Sequence, residues 1–131
     1  MSQENLELVR ARFEAFARTG QLDLDHYDPD VRWHLRADLP DAETLVGHDR
    51  LLQFFSEWTE AFGEIRFDVD ELIDAGVYVV VVLRIRGRVR ESDEEVAMPE
   101  TRVSHLVDGK VVEQWEYRTK AEALKAVGLE E

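Results

Sequence analysis

The sequence predicts an α+β domain in which helices cover one face of a curved antiparallel or mixed sheet and enclose a pocket. Three observations carry this. Apolar residues recur at helical spacing in the first half of the chain and again at its end. From Glu64 onward the apolar period changes to two. Within that stretch, Ala75-Gly76 and Asp108-Gly109 are turn signals at which consecutive antiparallel strands reverse. The 131 residues suffice for one core and are too few for two comfortable ones, so residues 1–131 are expected to form one domain.

Leu6, Val9, Phe13 and Phe16 follow Ser2, a good N-cap, and precede Gly20, so a helix is expected over residues 3 to 19. A short turn or helix around Leu22 to Tyr27 leads to Asp28-Pro29-Asp30. Val31, Trp33 and Leu35 then alternate with Arg32, His34 and Arg36 as a first strand. The acidic, Pro40-containing segment from Ala37 to Val46 reads as a loop. Leu51, Phe54, Phe55, Trp58 and Phe62 restore helical spacing after Gly47, up to about Gly63. Ile65, Phe67 and Val69 begin a hairpin whose second arm is the β-branched run Val77 to Ile85. Val96 to Val107 and Lys110 to Arg118 form the next two strands. Thr119 with Glu122 makes a capping box for a short C-terminal helix that stops at Gly128.

Composition removes several function classes. Acidic residues outnumber basic ones 29 to 16, a net charge of −13, which opposes approach to nucleic acid and anionic membranes. Without cysteine there is no disulfide, thiolate nucleophile or sulfur ligand. His26, His34, His48 and His105 lack paired metal-ligand spacing, and there is no phosphate-cradling glycine loop, so neither metal nor cofactor is expected. The N-terminus lacks the basic start and apolar run of a secretion signal, which makes a cytoplasmic location the expectation.

The element order, together with Asp28-Pro29-Asp30-Val31-Arg32-Trp33-His34, Asp108-Gly109-Lys110-Val111-Val112-Glu113-Gln114-Trp115 and a Gly47-started helix carrying Phe54 and Phe55, resembles the nuclear transport factor 2-like superfamily, closest to its SnoaL-like branch. These are turn and packing features that specify fold more than function. The resemblance implies a cone-shaped sheet around a pocket and, in characterised members, cofactor-independent chemistry such as polyketide cyclisation, with ketosteroid isomerases and limonene-epoxide hydrolases as more distant relatives.

Site residues follow from the resemblance position by position. The isomerase base, helix tyrosine and acidic donor fall on His34, Phe13 and Thr101. Phe13 lacks a hydroxyl and Thr101 is no strong acid donor, so that oxyanion hole is missing. The cyclase aspartate on the last strand, just after a tryptophan, falls on Glu116. Alternation there turns Gln114, Glu116 and Arg118 toward the pocket and Trp115 and Tyr117 away. A buried carboxyl has a raised pKa and can shuttle a proton. The alternative is an ion pair with Arg118 or another arginine.

On the preceding strand the same alternation turns Thr101, Val103 and His105 inward, with Glu100, Arg102 and Ser104 outward, so that His105 can meet Glu116. The candidate catalysts are therefore Glu116, His34 and His105, and the candidate pocket residues are Phe13, Trp33, Thr101, Gln114 and Arg118. Arg84, Arg86, Arg88 and Arg90 share one strand face, either at the pocket or dimer interface or paired with carboxylates. The resulting expectation is a homodimer, joined through the outer sheet face carrying Trp115 and Tyr117, that takes a small, largely apolar organic molecule. The competing expectation is a non-catalytic binding or interaction module.

Overall fold

The computed structural model describes residues 2–40 and 42–129; the side chain of Ser2, expected to cap the first helix, lies outside the described residues. Helix α1 spans Ser2–Thr19. A 3-10 turn, Leu24–His26, is capped by the Asp23 carboxylate, which accepts from the Asp25 amide. Strand β1 is Tyr27–His34 and β2 is Thr44–Val46. Helix α2 covers Gly47–Ala61 and runs into β3, Phe62–Ala75. Strands β4 (Tyr78–Val89), β5 (Glu95–Val107) and β6 (Lys110–Tyr117) follow, then helix α3, Lys120–Ala126.

Strand β2 corrects the expectation of an unbroken loop from Ala37 to Val46. Its three residues pair antiparallel with Arg32, Trp33 and His34, a run too short to display a period of its own. The capping box forms as its sequence requires: Thr119 Oγ1 accepts from the Glu122 amide, and the Glu122 carboxylate accepts from the Thr119 amide.

The described strands form one curved, unclosed sheet in the order β2-β1-β6-β5-β4-β3, with only β1 and β6 parallel. The meander from β3 to β6 follows from tight reversals. At the last of them both Asp108 and Gly109 hold positive φ, 51° and 79°, the backbone that a two-residue hairpin with native twist demands. One irregularity beyond that turn has large consequences. Val107 pairs with Lys110 and Leu106 with Val111, but His105 then pairs with Glu113, leaving Val112 as an extra residue on β6.

Both faces of the sheet carry a hydrophobic cluster. Val79, Val81, Leu83 and Ile85 of β4 join Val9 of α1, Leu51 of α2, Val31 and Trp33 of β1 and Leu106 in the main core. On the other face Val80 and Val103 pack against Ala123 and Leu124 of α3. Around Val79 to Val81 the sheet is therefore apolar on both sides, and burying each of these valine, leucine and isoleucine side chains contributes about 1.5–3 kcal/mol. Arg84, Arg86 and Arg88 lie on the outer face with carboxylates, whereas Arg90, past the end of β4, donates to the Thr59 carbonyl. Arg84 pairs with Asp70 at 2.9 Å, Arg86 with Asp68, and Arg88 with Glu95 at 3.6 Å.

Candidate functional site

Between the two long helices and the inner sheet face the core does not close, leaving a cavity of about 730 Å³. The roof is aromatic, because helical spacing in α1 and α2 directs Phe13, Phe16, Phe54, Phe55 and Trp58 inward. Phe16 ties α1 to α2 and the sheet, with ring centroids 5.5 Å from Phe55 and 4.9 Å from Phe67. Leu39, Pro40 and Ala42, in the loop after β1, complete one wall. This volume falls within the range of drug-sized ligand pockets, about 300–1,000 Å³.

The polar floor comes from three adjacent strands. Trp33 of β1, Gln114 and Glu116 of β6, and Glu100, Arg102 and Ser104 of β5 all line the cavity. The bulge at Val112 sets this register: Arg102 faces Glu116 and Ser104 faces Gln114 across the β5–β6 pair. Trp33 Nε1 donates to Glu116 Oε2 at 2.8 Å, and the Arg36 amide donates to Oε1 at 3.3 Å. Arg102 Nε donates to Glu100 Oε2 at 2.6 Å, and both residues are buried. The Arg102 guanidinium also lies 5.0 Å from the Trp33 ring centroid and 5.3 Å from that of Phe67. Ser104 Oγ donates to Gln114 Oε1 at 2.8 Å, which fixes the amide on the floor.

Two carboxylates thus share one guanidinium, and they share it unequally. Glu100 holds the direct ion pair. Glu116 has a pKa raised from the ordinary glutamate value of 4.5 to about 7, first by desolvation and then by the nearby Glu100 charge. Arg102 and the hydrogen bonds from Trp33 and the Arg36 amide oppose the rise without cancelling it. Arg102 itself stays charged: burial works against its charge, but Glu100 and Glu116 outweigh that. A carboxyl that takes and releases a proton near neutral pH, beside an apolar cavity, is equipped for general acid–base work.

Of the sequence-predicted site residues, Glu116, Gln114, Trp33 and Phe13 come together at this cavity, and four others do not. His34 lies on the opposite side of β1 from Trp33, because successive strand residues face opposite ways. It bonds Thr44 Oγ1 at 2.9 Å and Glu113 Oε2 at 2.6 Å and stacks on Trp115. His105 packs beside Tyr78, with ring centroids 5.1 Å apart, and is paired in register with Glu113 rather than turned toward Glu116. Thr101 is buried but off the cavity, on the face that Val103 shares with α3. Arg118 is exposed past the end of β6, where its charge adds a minor share to the lowering of the Asp38 carboxyl, which comes chiefly from the Arg36 hydrogen bond.

One cause accounts for the β5 corrections. Without the extra residue Val112, Thr101 would oppose Glu116; with it, Arg102 does, and a one-residue slip exchanges every side chain between faces. Sequence reasoning accordingly missed Glu100, Arg102 and Ser104, and it also missed Arg12 on α1 and Tyr27 at the start of β1, both of which line the cavity. The signal for β5 was the charged pair of opposite sign at spacing two, Glu100 and Arg102, in the middle of the strand.

The comparisons agree with this architecture. The SnoaL-like domain family profile matches residues 9–114. No curated protein matches the chain. Among solved structures, a protein of unknown function with the nuclear transport factor 2-like fold from Burkholderia pseudomallei is similar at 26% identity and a TM-score of 0.73, over 94% of this chain and 96% of that one. A putative SnoaL-like polyketide cyclase from Jannaschia sp. CCS1 is 21% identical, with a TM-score of 0.73 over 95% of this chain and 91% of its own. TerC, co-crystallised with polyporic acid, is 20% identical, with a TM-score of 0.73 over 95% and 98%. The last two likenesses are those of fold. With its helices, mixed sheet and a profile match over most of its length, the chain belongs to the SnoaL-like domain family of the nuclear transport factor 2-like superfamily.

Proposed function

We propose that the protein binds a small, largely apolar organic molecule in its cavity and performs cofactor-independent acid–base chemistry on it, with Glu116 as the proton shuttle. The observation that carries this reading is the Glu116 carboxyl, raised to about 7, among the residues lining an otherwise largely apolar cavity. Trp33 Nε1 and the Arg36 amide orient the carboxyl, and Arg102 supplies a fixed positive charge beside it. Abstraction of a proton next to a carbonyl, or its return at another carbon, needs such a group in a water-poor site and a positive charge such as that of Arg102 to favour the enolate that forms. That TerC was crystallised with an organic acid, and that another structure of this fold is described as a putative polyketide cyclase, are consistent with a small-molecule cavity.

Deuterium exchange at the α-carbon of a panel of cyclic ketones, followed by proton NMR, tests the reading. The wild type should accelerate exchange for at least one member, and Glu116→Gln should lose about 100-fold or more of that acceleration. Saturable ketone binding with equal exchange in both proteins would leave a non-catalytic binding module. Assembly as a homodimer through the outer sheet face around Trp115 and Tyr117 belongs to the same reading. Sedimentation should give twice the chain mass of 15.2 kDa, and Trp115→Glu should return the protein to a monomer.

A further inference from the structure

Two arginines line the cavity, and they are satisfied very differently. Arg102, on the sheet floor, is ion-paired to Glu100 at 2.6 Å and stands beside Glu116. Arg12, on α1, makes no hydrogen bond or ion pair with any described residue. Its guanidinium lies 5.0 Å from the Tyr27 ring centroid, and its Nη1 is enclosed without a hydrogen-bond partner. This occurs in a chain with 29 acidic residues against 16 basic ones, in which Arg36, Arg50, Arg84, Arg86 and Arg88 each hold a carboxylate. An enclosed guanidinium nitrogen without an acceptor costs about 1–3 kcal/mol or more until something supplies one.

Among the described residues, nearby groups do not supply that acceptor. Asp23, which also lines the cavity, spends its carboxylate on capping the 3-10 turn and on His26 at 3.4 Å. The polar floor lies at the other end of a stacked aromatic pair: Tyr27, under Arg12, is 6.1 Å from Trp33, and Trp33 bonds Glu116. The cavity is therefore polarised, with a cation unpaired among the described residues at the α1 end, apolar walls, and two carboxylates around one guanidinium at the floor. An anionic group would be repelled from the floor and drawn to Arg12, whose planar fork suits a carboxylate.

We infer that the ligand of this cavity is an apolar carboxylate, held with its charged end on Arg12 and its apolar body directed toward Glu116. This rests on the reading of the cavity as a small-molecule site and adds the class and orientation of what enters it. Calorimetric titration with 2-naphthoate and its neutral isostere 2-naphthamide tests it near neutral pH. The wild type should bind the carboxylate at least about tenfold more tightly than the amide, the margin expected of a charge-assisted pair. Arg12→Met should bring the two affinities together, and Arg12→Lys should keep part of the preference. Equal binding of the two probes by the wild type, or a preference that survives Arg12→Met, overturns the inference while the apolar site stands. Failure of both probes to bind the wild type would overturn the small-molecule reading and this inference with it.

Discussion

Replacing Glu116 with glutamine should make the protein more stable above neutral pH and abolish a decline in stability that the wild type shows between about pH 4.5 and 7. In the unfolded chain this carboxyl ionises near 4.5; in the folded protein it ionises near 7. Between those values the folded state holds a proton that the unfolded chain has released, so raising the pH favours unfolding by at most about 1.4 kcal/mol per unit. Across the window the wild type loses up to roughly 3 kcal/mol relative to the glutamine variant, and below it the two should coincide. Glutamine retains an oxygen for Trp33 Nε1 and carries no charge to desolvate. Urea denaturation of both proteins from pH 4 to 8 measures the difference. A gap that stays constant over this range would mean that Glu116 titrates normally and would remove the basis for its role as a proton shuttle.

The fold was legible because its elements depend on local signals that tertiary contacts did not override. The apolar spacing of Val9, Phe13 and Phe16, the Asp108-Gly109 reversal and the Thr119–Glu122 capping box each state a backbone conformation in a few residues. The site was legible only in part, because it depends on which way strands face. On β6 the placement of Gln114 and Glu116 could be read from alternation. On β5 alternation is uninformative: Glu100 through Ser104 are all buried, the apolar Val103 serves the small core under α3, and the charged pair serves the cavity. Ordinary polarity reasoning turns Glu100 and Arg102 toward solvent, because charged side chains are rarely buried without partners. Here each is the other's partner. A bulge such as that at Val112 leaves no composition signature, because Val111 and Val112 suit a strand equally with or without it, and it alone decides between Thr101 and Arg102 as the neighbour of Glu116.

That inward-turned arginine is also where a single substitution should cost most. Arg102→Met keeps a long, unbranched side chain between Trp33 and Phe67 but leaves Glu100 and Glu116 facing each other with the guanidinium gone. Removing one partner of a buried pair typically costs about 3–5 kcal/mol, because the remaining charge stays desolvated and unpaired. The loss should be largest at high pH, where both carboxylates are forced to ionise, and should shrink as the pH falls and Glu116, already raised by burial and by Glu100, takes up its proton. The double substitution Glu100→Gln with Arg102→Met removes the directly paired charge and its repulsion of Glu116, and should recover more than half of the loss, by the logic that a buried pair replaced as a unit is close to neutral. Denaturation of the single and double variants at pH 5 and pH 8 provides the check. A loss below about 1 kcal/mol at both values, in the range of an exposed pair, would mean that the pair is effectively solvated and that the floor of the cavity is wet. A pH-dependent loss rescued by the second substitution would establish a dry, charge-balanced floor, the environment in which a carboxyl such as Glu116 can exchange a proton with a bound organic molecule without competition from bulk water.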